Sequence, residues 1–324
     1  MAGDLKRAGR RRQSWYGWKR PVKRIISLPG VNQAARALTL RRRGPEAAAR
    51  LPAPIGVTEV QGRINGLTFV MNDPAHCIIA KELHWGGGMR PRAQDQYALE
   101  VFARLSQTAD TILDIGCYTG VFSIVAAKAN RSAEVHAFDI VPSNFLAAWG
   151  NVIANDLIGR IEVHLQGVGE QVSIRMPAAT SGSALPDFWS IDDGDDREDG
   201  IAVPVRTLDD VLAGIDMETV VDPDQPRVLV KVDVEGHEAA LVSAGQAAIR
   251  AHRPTFLMEI LPGADVAPLT EVFGGRGYRY YLVTEDRLQE AVRLRGEDRY
   301  RDWLITTLSA EHVSSLGVRV DSLV

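Results

Sequence analysis

Cysteine is nearly missing. The 324 residues hold two, Cys77 and Cys117, too few for a disulfide framework, and no Cys/His group has the sequence spacing of a zinc site. A reducing, cytoplasmic setting is the expectation. No uninterrupted apolar run reaches the roughly 18 to 20 residues that a membrane-spanning helix requires. Nor does an apolar core of signal-peptide length follow the early arginines. The chain is therefore expected neither to cross a bilayer nor to carry a secretory leader, although an Arg-rich organelle-targeting segment stays open. The dinucleotide fingerprint Gly-x-Gly-x-x-Gly is absent as well, which argues against an oxidoreductase built on it. What remains is an ordinary globular composition, 45% apolar and 24% charged, sufficient for a sizeable core and incompatible with disorder throughout.

The net charge of −4 hides a split. Residues 1–50 carry 14 Lys and Arg against two acids, Asp4 and Glu46, a net of +12, and the rest of the chain carries 23 against 39, a net of −16. This reads as a basic arm and linker over 1–56 ahead of an acidic domain over 57–324. The arm holds Arg10-Arg11-Arg12 and Trp15-Tyr16-Gly17-Trp18-Lys19-Arg20, a mix suited to an anionic membrane surface or to nucleic-acid bases. Residues 31–43 space Val31, Ala34, Ala35 and Leu38 as a short amphipathic helix ending in three arginines, where cations favour a helix C-terminus. The plainer alternative is a solvated, partly disordered tail.

Along the domain, alternation around Asn65-Gly66 predicts a hairpin over 57–71, Trp85-Gly86-Gly87-Gly88 a flexible loop, and 93–105 a helix. Strand-like runs at 111–115, 134–139, 161–167, 228–234 and 255–261 then alternate with helical stretches. That rhythm argues a doubly wound, mostly parallel α/β sheet. Two last runs, 278–284 and 302–308, read as a terminal antiparallel pair separated by a charged stretch with no apolar face. Residues 177–203, rich in Ser, Asp and Gly, read as a long surface insertion.

The strongest local signal is Ile112-Leu113-Asp114-Ile115-Gly116-Cys117-Tyr118-Thr119-Gly120, a strand running into a Gly-x-x-x-Gly turn that opens a helix. Such a turn lets backbone approach a ligand, and the helix start offers free N–H groups. Asp114 suits a cationic amine better than a diphosphate, which it would repel. Asp139, ending the next strand, lies within reach of ribose hydroxyls. Taken together these residues resemble the Rossmann-like class I methyltransferases that use S-adenosylmethionine.

Further motifs narrow the resemblance: Asp139-Ile140-Val141-Pro142-Ser143-Asn144, Asn151-x-x-x-Asn155, Thr207-Leu208-Asp209-Asp210, Lys231-Val232-Asp233-Val234-Glu235-Gly236-His237-Glu238, Arg253-Pro254 and Met258-Glu259-Ile260. Over about residues 110–262 the chain is similar to the FkbM methyltransferases, with Asp139 where that family usually has Glu. The resemblance implies S-adenosylmethionine as methyl donor, held by Asp114, Gly116, Gly120, Asp139 and Asn144. It also implies a hydroxyl acceptor on a sugar, glycoconjugate or polyketide-like small molecule.

In the Lys231 block, alternation puts Lys231, Asp233 and Glu235 on one side of a strand edge, with Glu259 beside them on the next strand. Carboxylates there are costly unless paired or facing a ligand. They could form an Mg²⁺ or Ca²⁺ site, or an acid and base set in which Asp233, His237 or Glu235 serves the proton. They could also be structural, with Lys231 neutralising Asp233 and Glu238 supporting a helix start. The metal-free acid–base reading is preferred, with no metal ligand assigned. His237 suits proton transfer near neutral pH, although the helix it opens lowers its basicity. Of the other histidines only His84, beside the Gly86–Gly88 loop, has a setting worth testing. Two rival functions remain. An RNA-modifying methyltransferase would use the basic arm, but the acidic body repels phosphate and the Asn/Asp-Pro-Pro-aromatic motif of amino-directed enzymes is absent. The other rival is a non-catalytic S-adenosylmethionine-binding protein.

Overall fold

The computed structural model describes residues 21–170, 172–176, 200–215 and 227–322. After a helical stretch at 21–26 come α1 (Pro29–Arg43) and α2 (Pro45–Ala49), the hairpin β1 (Glu59–Ile64) and β2 (Leu67–Asn72), then α3 (Ile78–Trp85) and α4 (Ala93–Ser106). The α/β body continues with β3 (Thr111–Ile115), α5 (Val121–Ala129), β4 (Glu134–Asp139), α6 (Pro142–Ala154) and β5 (Ile161–Leu165). Three short strands follow, β6 (Gly167–Val168), β7 (Ser173–Met176) and β8 (Ile201–Arg206). The rest comprises α7 (Leu208–Ala213), β9 (Val228–Val232), α8 (Glu238–Ser243), α9 (Gln246–His252), β10 (Thr255–Glu259), α10 (Ala267–Phe273), β11 (Arg279–Val283), β12 (Leu288–Ala291), β13 (Asp302–Thr306), α11 (Ala310–Ser315) and β14 (Val320–Asp321).

Nine strands form one sheet in the order β14-β12-β11-β13-β10-β9-β3-β4-β5. From β5 to β10 neighbours are parallel, while β13 pairs antiparallel with both β10 and β11. Alternating side chains divide the core into two layers. Ile112 on β3 joins Leu99 and Phe102 of α4 and Ile124 of α5 on one face. Leu113 and Ile115 join Leu212 of α7, Leu241 of α8 and Ile249 of α9 on the other. All five residues of β3 and of β9 are buried, as strands covered on both faces require. Chain order reverses between β3 and β9, which opens a crevice at their C-terminal ends.

Several expectations shift. The run 161–167 divides: β5 ends at Leu165, and β6 leaves for a small sheet in the order β6-β8-β7. Of the insertion 177–203, residues 177–199 lie outside the described residues, whereas 201–203 open β8 and pair with β7. The charged stretch after β11 contains a strand, β12, whose Leu288 is fully buried, so it does present an apolar residue to the core. The glycine loop after α3 is tied down rather than loose, because the Gly88 N–H donates to the Leu83 carbonyl and its own carbonyl accepts from the Arg63 N–H, both at 2.8 Å. The amphipathic helix expected at 31–43 is α1, and its Asn32 is buried and donates to the Pro52 carbonyl at 2.9 Å. Arg36 stacks 5.1 Å from the Trp85 ring centroid, and the Trp85 indole N–H donates to the Leu51 carbonyl, so this part of the arm is docked on α3. The aromatic and basic residues 10–20 lie outside the described residues.

Candidate active site

A cleft of about 570 Å³ opens where β3, β4 and β9 end. Its first wall is the turn after β3. The Asp114 carboxylate accepts from the Ser123 N–H at 3.0 Å and the Ser123 hydroxyl at 2.5 Å, both through Oδ2. Its other oxygen, Oδ1, is buried without a protein partner. A buried, unpaired carboxylate oxygen is costly unless a ligand donor meets it. Burial pushes Asp114 up to about 6, against the Ser123 hydrogen bonds and the nearby Lys231 charge. Asp139, on the second strand, accepts the Tyr118 N–H at 2.9 Å and the Val141 N–H at 2.8 Å, and the Asn144 amide lies 3.3 Å from both its oxygens. Burial still raises it to about 7.

The two glycines of the turn differ in what they do. A Cβ on Gly116 would overlap the Asp233 backbone carbonyl, so glycine there serves the close crossing of the β3 and β9 ends as well as the cleft it lines. Gly120 does not line the cleft. It takes a left-handed conformation, φ +79°, that starts α5, a backbone state glycine reaches without strain.

Charge dominates the opposite wall. Lys231 is buried with its ammonium 3.8 Å from Asp233 and 3.6 Å from Asp302, and 5.2 Å from the Phe122 ring centroid. Burial alone would lower Lys231, but Asp233, Asp302, Glu259 and Asp114 override it and hold it at about 12. Glu259 is driven far above the carboxylate range by burial and by the Asp233 carboxylate it hydrogen-bonds, so it keeps its proton at neutral pH. Lys231 is the ammonium between Asp233 and Asp302, while the Arg301 guanidinium lies 3.7 Å from Glu259. Alternation holds for Lys231 and Asp233 but stops there: β9 ends at Val232, and Glu235 sits exposed in a turn at φ +52°. Glu235 and His237 both line the cleft, and burial together with the charges of Asp233 and Glu238 raises Glu235. Glu238, the first residue of α8, is buried and accepts the Gly236 N–H at 3.0 Å, so it braces the turn ahead of the helix whose start it was expected to support. His84 packs edge-on against Trp85 and is not a lining residue.

Two residues at or beside this wall escaped the sequence reading. Asp302 opens β13, whose antiparallel direction brings its first residue opposite Glu259 at the end of β10. The terminal pair expected from the sequence joins 278–284 to 302–308, and it is the further pairing of β13 with β10 that sets this placement. Arg90 also lines the cleft, held by Glu82 at 3.0 Å and Asp95 at 3.1 Å. It lies outside any motif, and only the fold brings it in.

Much of the rest of the signature is structural. Asn155 donates to the Val70 carbonyl at 2.7 Å and accepts the Val70 N–H at 2.9 Å, while Asn151 accepts the Asn72 N–H and donates to the Thr119 carbonyl. Together they fasten the hairpin and the glycine turn to α6. Thr207 caps α7, and Asp209 accepts the Ala248 N–H at the start of α9.

Strand order and the cleft at its reversal define a doubly wound, Rossmann-like α/β protein. The model of the Methyltransferase FkbM domain matches residues 114–280, just over half of the chain, and the chain belongs to that family. Among curated proteins it is 34% identical over 96 residues to Ribosomal protein L11 methyltransferase of Vibrio cholerae serotype O1, a match spanning 30% of this chain and 29% of the relative's length. Among solved structures, Methyltransferase FkbM from Methylobacillus flagellatus KT aligns with a TM-score of 0.38 at 18% identity, over 61% of this chain and 44% of that one. The O-methyltransferase from Bacillus cereus in complex with SAH aligns with a TM-score of 0.37 at 12% identity, over 65% and 80%.

Proposed function

We propose that this chain transfers a methyl group from S-adenosylmethionine to a hydroxyl oxygen of a sugar, glycoconjugate or polyketide-like small molecule. The observation that carries the donor is the buried, unpartnered Asp114 Oδ1 at the cleft, with Asp139 on the neighbouring strand. Asp114 is the counter-ion for the donor's ammonium group, and Asp139 accepts from its ribose hydroxyls. When bound, S-adenosylmethionine supplies an electrophilic methyl carbon, whose bond to sulfur breaks with the electron pair returning to sulfur. Asp233 takes the acceptor proton as the oxygen–carbon bond forms, while protonated Glu259 and Lys231 orient its carboxylate. Most of the rate comes from holding the acceptor oxygen in line, with base assistance worth about 10²- to 10⁴-fold. O-direction and acceptor class rest on the family resemblance and on a cleft that pairs the partly exposed Asp233 carboxylate with the buried Lys231 cation. The test is methyl transfer from labelled donor into hydroxylated acceptors. Label recovered as an alkali-stable methyl ether supports this reading; label on nitrogen, or none with donor bound, overturns it.

A further inference from the structure

A second cluster lies on the same sheet, and none of its three residues lines this cleft. β4 and β5 are parallel neighbours with His136 opposite Glu162 and Phe138 opposite His164. On one face this register brings three ligand atoms together. His136 Nδ1 lies 3.3 Å from His164 Nε2, and Glu162 Oε2 lies 3.6 Å from the first and 3.8 Å from the second. Among the described residues this is the one group of three or more His, Cys, Asp or Glu side chains close enough to share an ion. Sequence spacing hides it, because the two histidines stand 28 residues apart and only strand pairing unites them.

We propose that His136, His164 and Glu162 form a binding site for a divalent transition-metal ion of the zinc type, a clip joining the edge strand β5 to β4. Geometry leads the argument. Bonds of about 2.1 Å at tetrahedral angles set neighbouring ligand atoms roughly 3.4 Å apart, which the His–His distance already matches. The two longer edges both end on Glu162, whose side chain is 66% exposed and free to close by a few tenths of an ångström. Two imidazoles and one carboxylate select a borderline ion over Mg²⁺ or Ca²⁺, which take all-oxygen sets.

The surroundings support the same reading. Behind the site, Glu134 Oε1 lies 3.0 Å from His136 Nε2. A carboxylate there fixes the N–H on Nε2 and leaves the Nδ1 lone pair facing the ion, the backing that metal-bound histidines commonly have. His164 is held flat against Phe138, centroids 4.6 Å apart and planes 15° apart, so its ring is also oriented in advance. Of the two opposite charges acting on His164, Glu162 outweighs Arg206. Access is from solvent, which leaves the fourth coordination position to water.

The test uses the full chain without a histidine tag, titrated with Zn²⁺ by calorimetry and with Co²⁺ by visible absorption, which reports four-coordinate geometry. One ion per chain is expected, with a rise in melting temperature on Zn²⁺ addition, since an ion that binds only the folded state stabilises it. His164→Ala and the exposed Glu162→Gln should each weaken binding by about tenfold or more. His76→Ala should leave it unchanged; His76 is an exposed histidine whose Nδ1 pairs with Asp73 at 2.9 Å. Absence of stoichiometric binding overturns the proposal. So does binding that survives both His164→Ala and Glu162→Gln in folded protein, or that disappears equally with His76→Ala; in those cases the two imidazoles simply hydrogen-bond to each other.

Discussion

The two walls of the cleft present carboxylates to the same space by opposite means. At the β3/β4 wall, Asp114 and Asp139 are fixed by backbone N–H groups, a serine and an asparagine, which set their orientation while leaving Asp114 Oδ1 unpaired. Across the cleft, one buried ammonium, Lys231, stands between Asp233 and, beside the lining, Asp302, with protonated Glu259 hydrogen-bonded to Asp233. A wall built on dipoles tolerates the loss of one partner, whereas a wall built on charge balance depends on each charge. The first is suited to hold an invariant ligand; the second is suited to handle a proton.

The sharpest way to separate the walls is Asp233→Asn. Turnover should fall about 10²- to 10⁴-fold, while calorimetric affinity for S-adenosylhomocysteine, the demethylated donor product, stays within about twofold. Equal losses in both would merge the two walls into one. Next in size is Lys231→Met, which leaves acids buried without their cation and should cost about 3 to 5 kcal/mol of stability in denaturant melts. Adding Asp302→Asn to that variant should recover part of the loss, because it removes one of the charges left unbalanced. A smaller effect is expected for Asp114→Asn, which keeps an acceptor for Ser123 but not the charge. It should weaken S-adenosylhomocysteine by about 1.5 to 3 kcal/mol with little change in melting temperature.

The smallest effect is one of pH, and its sign distinguishes the donor wall from ordinary paired acids. Asp114 and Asp139 are raised by burial to about 6 and about 7 from 3.8, so between pH 4 and 7 the folded state binds more protons than the unfolded one. Their contribution to stability therefore falls as pH rises through that window. Donor binding needs the carboxylates, so affinity should move the other way, rising by up to about tenfold per pH unit and levelling off above pH 7. Calorimetry between pH 5.5 and 8 checks this, and Asp139→Asn should flatten the upper part of the profile.

Why some of this was legible in the sequence follows from where each residue lies. Asp114, Asp139, Asn144 and Asp233 sit at strand ends that hydrophobic runs announce, so their convergence follows from parallel topology. Glu235 was misplaced because alternation was carried past Val232, where the chain leaves the strand. Arg90 reaches the cleft on a loop outside any motif, and Asp302 reaches Lys231 beside it only through the pairing that sets it opposite Glu259. Gly116 shows a further limit, since its need for glycine comes largely from the Asp233 carbonyl, more than a hundred residues away in the chain.

The most direct test of the account is calorimetric binding of S-adenosylhomocysteine to the intact chain at pH 8, repeated on Asp139→Ala and Asp233→Asn. The account predicts one site per chain, weakened at least tenfold by Asp139→Ala through loss of a charge-assisted hydrogen-bond acceptor and preserved in Asp233→Asn. No binding of the product or of S-adenosylmethionine itself, or binding that ignores Asp139→Ala and is lost in Asp233→Asn, would contradict it.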